Sequence, residues 1–342
     1  MDHLLPKDQE KRTQLQVMVT GADGLLGSNL VRGLLEMGFS VRVLVHPKSS
    51  SPTLRGLTLE TFSGDLLSED SVLAEAAREC DAVFHCAAIT NMWADPQLTW
   101  EVNLKGTEAV LKACLREGVK RLVHIGSASS FAFGPMNDPG DERSPFAEVY
   151  RGMAYMESKH EAMKLVREWV TERGLDAVIV APTFLLGKYD HGPSGGELIR
   201  QYLKRGLKYV PPGGRNFANA GDVARAAILA WEKGKAGEAY IAGGENLRYF
   251  DFFSAVSRIA GTRPPARVIP KALVLAAGAA GSAYKLIPGK TAQVDLRIAR
   301  VSCYETYYSS EKALAELGMT QTPIDVAIED SLESLREYGH IQ

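Results

Sequence analysis

The run LQVMVT (Leu15–Thr20) passes straight into TGADGLLG and then into the amphipathic segment Leu25–Met37. A short apolar run bounded by a turn reads as a buried strand, and the 3.6-residue period that follows reads as a helix. Glycines stand at 21, 24 and 27 between them. At a strand-to-helix turn each has a mechanical task. Gly21 permits the tight turn, Gly24 lets a pyrophosphate approach the backbone, and Gly27 lets the helix pack close to the strand. The helix start, with Leu25 and Leu26, aims free N–H groups and the positive end of its dipole at the phosphates. A glycine triplet in that context predicts a dinucleotide site.

The pattern repeats along the first half. VRVLV, LTLETF, AVFHCAA, RLVHIG and AVIVAP read as strands, separated by helices from about Ser68, up to about Glu117, and through AYMESK. This alternation predicts an α/β fold: a Rossmann-type, doubly wound parallel sheet covered on both faces. At 342 residues the chain exceeds what one compact core usually holds, so a second, smaller region is expected. The reading is a disordered tail over 1–14, a dinucleotide-binding domain over 15–187, and a mainly helical substrate region over 188–342 with room for strands that return to the sheet. Turn-rich KYDHGPSGG and PPGGRN open that region. Helices are predicted over Glu197–Arg205, Asp222–Glu232, Phe250–Ala260, Lys271–Tyr284, Ser310–Leu317 and Ile324–Tyr338, with AYIAG (Ala239–Gly243) as the one short strand among them.

Net charge is −2 and the basic residues look scattered, which excludes a nucleic-acid footprint. The four cysteines show neither metal-site nor disulfide-framework spacing and read as free thiols. The polar N-terminus lacks the apolar core of a leader. The most apolar run, Ala272–Tyr284, is too short to span a bilayer and reads as a buried or surface-lying helix, with a peripheral membrane contact as the alternative. A cytoplasmic protein without metal is the expectation.

Two Tyr-x-x-x-Lys pairs occur, Tyr155…Lys159 in AYMESKH and Tyr308…Lys312 in YYSSEK. Spacing of i, i+4 puts both polar ends on one helix face, where a cation lowers a phenol's pKa toward the working range. Cofactor choice falls to the end of the second strand. Where an NAD site places an acid, this chain has His46 and Lys48, which can meet a 2′-phosphate with charge-assisted bonds. NADP is favoured, with NAD as the alternative.

TGADGLLG together with YMESK resembles the extended short-chain dehydrogenase/reductases, the NAD-dependent epimerase/dehydratase type, over nearly the whole chain. HIGSASS supplies the serine that precedes the family's tyrosine, as Ser127. SGDLLSED matches the family's Asp-Leu with Asp65 and Leu66. FHCAAIT matches its small-residue turn with Ala87 and Ala88. VNLKGT supplies Asn103, and APTFLLG supplies Pro182. The resemblance implies that Asp65, Leu66, Ala87, Ala88 and Pro182 line the cofactor and that Lys159 also holds the nicotinamide ribose. It implies further that Tyr155 protonates a carbonyl oxygen, Ser127 hydrogen-bonds it, and Asn103 holds a relay water. By that resemblance Tyr155 and Lys159 are the catalytic pair, while Tyr308 lies outside the nucleotide domain and is structural. The closest look is to the dihydroflavonol-reductase-like and 3β-hydroxysteroid-dehydrogenase-like branch. GSASSFAFG carries no acidic pair, which speaks against dehydration. Met92, Trp93, Phe131, Phe133 and Phe184 suggest an apolar pocket for a small-molecule ketone or aldehyde. A nucleotide-sugar epimerase and a non-catalytic cofactor-binding sensor are the alternatives. A homodimer through the helix carrying Tyr155 is what the family implies.

Overall fold

The computed structural model describes residues 12–67, 70–285 and 295–342. Most of the tail read over 1–14, and the start of the helix read from Ser68, lie outside those residues. The chain runs β1 (Gln16–Thr20), α1 (Leu25–Glu36), β2 (Ser40–Val45), β3 (Glu60–Ser63), α2 (Asp70–Ala77), β4 (Ala82–His85) and α3 (Pro96–Trp100). It continues with α4 (Gly106–Glu117), β5 (Arg121–Ile125), α5 (Ala154–Arg173), β6 (Ala177–Pro182), β7 (Phe184–Leu186), α6 (Gly196–Arg205), β8 (Tyr209–Val210) and β9 (Gly214–Asn219). Then come α7 (Ala220–Lys233), β10 (Ala239–Ala242), β11 (Glu245–Arg248), α8 (Tyr249–Ile259), β12 (Arg267–Val268), α9 (Lys271–Tyr284), α10 (Leu296–Val301), β13 (Glu305–Thr306) and α11 (Ile324–Glu337).

Seven strands form one sheet in the order β10-β6-β5-β4-β1-β2-β3, every pair parallel. Both faces are covered, which explains why β4, β5, β6 and β10 are buried at every residue. One core joins Leu30 and Leu34 of α1 and Ala227 and Trp231 of α7 to the sheet. The other joins Leu111 of α4 and Met163, Val166 and Trp169 of α5 to the opposite face. After β3 the chain crosses over to β4 on the other side of β1. That reversal opens a crevice at the carboxyl ends of the strands, where ligands of such sheets sit.

Beyond β6 the expectation of helices with one strand needs correction. AYIA does form β10 and joins the main sheet beside β6, but a second sheet exists as well. Its order is β11-β9-β13, with β7 also on β9, and β8 pairs with β12 in a separate ribbon. These strands are two to six residues long, and GRNFAN (β9) looks like a turn because Gly213 and Gly214 follow two prolines. Their stability comes from packing: Phe217 of β9 stacks on Phe252 of α8 at 4.0 Å between ring centres. The helix read over Ser310–Leu317 ends as a π turn, Ala313–Leu317. All four cysteines are free. Among the described residues no helix is long and apolar enough to cross a membrane.

Candidate functional site

At the crevice, Gly21 adopts φ +64°, and a Cβ there would lie 2.6 Å from the Ala87 backbone. Glycine lets the first turn touch the turn after β4. A Cβ on Gly27 would sit 2.1 Å from the Gly21 carbonyl oxygen, so α1 can press on its own turn only without a side chain. Gly24 is different: a Cβ there meets nothing closer than 3.5 Å. It caps α1 in extended conformation, with no side-chain cap and no acid in the first turn. The first N–H groups of α1 are thus left to an outside acceptor, as a pyrophosphate cradle requires. Leu25 and Leu26 are buried beside it and Ala88 follows Ala87 at the crevice, while Pro182 closes β6 as a buried residue.

At the end of β2, His46 and Lys48 are exposed. His46 Nε2 lies 3.6 Å from Asp65 Oδ2, so the imidazole faces a carboxylate that the sequence placed in a separate motif. Leu66, by contrast, turns into the core under α4. Beside His46 a cavity of about 390 Å³ is lined by Ser49, Ser51 and Arg55, among others. Asp23 of the glycine loop accepts from Ser49 and Ser51, tying the segment after β2 to the glycine cradle. Arg55 was invisible in sequence because it stands in an unpatterned stretch.

The polar cluster forms where α5 crosses the end of β5. Tyr155 Oη donates to Ser127 Oγ at 3.4 Å, and Ser127 Oγ also meets Ser129 Oγ at 2.8 Å. Lys159, one turn along α5, is buried and donates to the Ile125 carbonyl at 2.6 Å. Asn103 sits in a π turn, Glu101–Lys105, between α3 and α4. Its amide accepts from Ile89 N at 2.8 Å and donates to Ile89 O at 3.1 Å and Ser158 Oγ at 3.0 Å. The side chain therefore clips the turn after β4 to α5, with both amide hydrogens engaged and one lone pair left on Oδ1.

Electrostatics differ from the expectation. Burial raises the Tyr155 phenol above its ordinary value, with the Ser127 hydrogen bond and the charge of Arg215 pulling it down. Burial lowers the Lys159 ammonium to about 8. The cation acting on Tyr155 in the chain alone is Arg215 of β9, which reading PPGGRN as a turn missed. Arg215 Nε donates to Tyr249 Oη at 2.7 Å, and the guanidinium lies 5.1 Å from the Phe184 ring centre. Among the described residues no carboxylate pairs with it.

Tyr155 opens on a cavity of about 260 Å³ whose walls include Met92, Trp93, Met153, Met156 and Ile298. Lys285, Asp295 and Arg297 stand at the same cavity, with Lys285 3.0 Å and Arg297 3.4 Å from Asp295. Of the five apolar residues read as lining, Met92 and Trp93 do so. Phe131 is core, Phe133 packs on Tyr150 and Tyr304, and Phe184 packs on Phe217. Tyr308 is nearer than its place in the chain suggests: its hydroxyl donates to the Phe131 carbonyl at 3.3 Å. Lys312 turns away to Glu238 and the Ala239 carbonyl, so this second pair does not assemble.

Beneath Lys159 lie two buried histidines, ring centres 5.5 Å apart. His85 meets Thr20 Oγ1 at 2.8 Å and Thr107 Oγ1 at 3.1 Å, whereas both ring nitrogens of His124 have no partner among the described residues. Burial, then the Lys159 charge, lowers His85 to about 3 and His124 well below its ordinary value. Among the described residues no cluster of ligands could hold a metal.

A glycine cradle at the switch point and a Ser-Tyr-Lys cluster beside it define a dinucleotide-dependent enzyme class. The model of the NAD dependent epimerase/dehydratase family matches residues 17–243, and the chain belongs to that family, the extended short-chain dehydrogenase/reductases. It is 31% identical over 95% of its length to a Synechocystis protein, of which it covers 95%, named "Putative dihydroflavonol 4-reductase". It is 29% identical over 96% of its length to the sterol demethylase protein B of Methylococcus capsulatus, of which it covers 100%. Among solved structures, that of gox2253 superimposes with a TM-score of 0.85 at 32% identity, covering 95% of this chain and 99% of the other.

Proposed function

We propose that this chain is an NADP(H)-dependent carbonyl reductase acting on a ketone or aldehyde of largely apolar character. The observation that carries the proposal is the Tyr155 hydroxyl, 3.4 Å from Ser127 Oγ, at a cavity walled by Met92, Trp93, Met153 and Met156. The residues suit the cofactor: an open Gly24, an uncapped helix start and a small-residue turn at Ala87 leave room and donors for a pyrophosphate. Gly21, Gly24, Gly27, Ala87 and Ala88 would hold it. His46, Lys48 and Arg55 would face a 2′-phosphate, and Lys159 the nicotinamide ribose. A nicotinamide dinucleotide bound there supplies hydride.

The chain's own part is proton supply and orientation. Tyr155 is kept protonated at neutral pH by burial, which suits a donor to a carbonyl oxygen. Ser127, itself bonded to Ser129, hydrogen-bonds the same oxygen and stabilises the charge that develops on it. Asn103 keeps α5 at a fixed distance from the turn after β4, so Tyr155 and Lys159 stay aimed at one point.

NADPH oxidation over a panel of apolar ketones and aldehydes tests the reading. Tyr155→Phe should lower turnover by about 10²–10⁴-fold while dinucleotide still binds. Unchanged turnover in that variant, or a preference for NADH, would refute the acid or the cofactor assignment respectively. One observation favours a second reading: Arg215, without a carboxylate partner, could meet the diphosphate of a nucleotide sugar. An epimerase would interconvert such a sugar with no net consumption of NADPH.

A further inference from the structure

The basic residues that look scattered in sequence are not evenly so. Residues 252–294 contain no Asp or Glu, and six Lys or Arg: Arg258, Arg263, Arg267, Lys271, Lys285 and Lys290. The chain as a whole carries a net −2, so this stretch stands out in sequence; in space Arg258 pairs with Asp325 and Lys285 with Asp295, which leaves Arg263, Arg267 and Lys271 among its described cations. Within it lies α9, a helix of 14 residues in which Val274 and Gly278 alone are buried. Gly278 meets Ala299 of α10, and that contact fixes which side of α9 faces the protein. Leu273, Ala277, Ala280 and Tyr284 repeat at helical spacing on the outward side, with Leu273 62% exposed. Immediately before α9, β12 pairs with β8 and both its residues are exposed, Arg267 opposite Tyr209 and Val268 opposite Val210. Tyr209 is 57% and Val268 45% exposed. Lys208, Arg267 and Lys271 accompany them, and among the described residues none of these three pairs with a carboxylate.

From this surface we infer a docking site for an anionic lipid bilayer, with α9 lying in the headgroup plane and the β8–β12 ribbon beside it. An apolar outward face bordered by Lys208, Arg267 and Lys271, on a stretch that itself carries no acid, is the pattern of an interfacial helix. At about 1.5 Å per residue α9 is too short to cross, so it lies on the membrane. Charge complementarity favours lipid over a second copy of the chain, because two faces each bordered by Lys208, Arg267 and Lys271 would repel each other. The docking does not depend on the reduction chemistry.

Flotation of the purified full chain with vesicles decides it. Phosphatidylcholine vesicles containing about one third phosphatidylglycerol should carry the protein upward at low salt, and pure phosphatidylcholine vesicles should not. Arg267→Ala and Lys271→Ala should each weaken binding about fivefold. Leu273→Asp should abolish it with an unchanged unfolding temperature, since that side chain is exposed. No flotation with either vesicle, or equal flotation with both, would overturn the inference. So would a Leu273→Asp variant that sediments as a smaller species than the parent in the absence of lipid, because the face would then join two copies.

Discussion

Residues that act on the phenol of Tyr155 come from either side of it in the chain, far apart in sequence. Ser127 and Arg215 both favour its ionised form, against burial that favours the neutral one. Replacing Arg215 by Gln removes a cation, so the phenol's pKa rises further. The proposed reduction requires Tyr155 protonated, so on that proposal the alkaline limb of kcat/KM against pH should move to higher pH in Arg215→Gln. A limb that moves down, or stays, would show that Arg215 does not act on Tyr155. Lys159 behaves otherwise in the chain alone: its ammonium is held by the Ile125 carbonyl and lowered to about 8 by burial.

Among elements, the junction of β1 and α1 separates two kinds of glycine. Gly27 allows a backbone contact that a methyl would obstruct at 2.1 Å, whereas a methyl on Gly24 would make only an ordinary contact at 3.5 Å. Gly27→Ala should therefore destabilise the fold by about 3 kcal/mol, read from denaturant unfolding. Gly24→Ala should unfold like the parent yet, on the proposed pyrophosphate site, bind NADPH about tenfold or more weakly, because the methyl holds the phosphates off the backbone donors. Equal unfolding midpoints for the two variants would refute this division. The π turn carrying Asn103 is the matching device on the opposite side of the site, joining Ile89 to Ser158 of α5.

For the whole molecule, the two buried histidines set an acid limit. The unfolded chain takes up protons near the ordinary histidine value, while folded His85 does so only at about 3 and folded His124 also well below that value. More protons on the unfolded state mean that stability rises with pH, so it is complete above about 6.5 and lost as pH falls below it. Each histidine contributes a slope of about 1.4 kcal/mol per pH unit in that window. His124 has unpartnered nitrogens in an apolar core, so His124→Leu should gain about 2 kcal/mol relative to the parent at about pH 5, and less at about pH 8. Equal gains at the two pH values would exclude this origin of acid sensitivity.

Local physics was legible from the residues. The glycine spacing, the strand–helix alternation through β6 and the i, i+4 pairing on α5 all depend on neighbours a few positions apart, and α9 follows its sequence-read bounds of Lys271–Tyr284. The second sheet was not legible, because strands this short carry too few residues for a period and obtain their partners across long separations. Arg215 rides on that sheet, which is why the cation nearest in effect to Tyr155 went unread. Phe131 and Met92 are both apolar residues near the site, yet one is core and the other lines the cavity. Apolar character decides that a side chain leaves water; only the closing of the segment after β4, the start of α5 and α10 around one space decides whether it meets the core or the cavity.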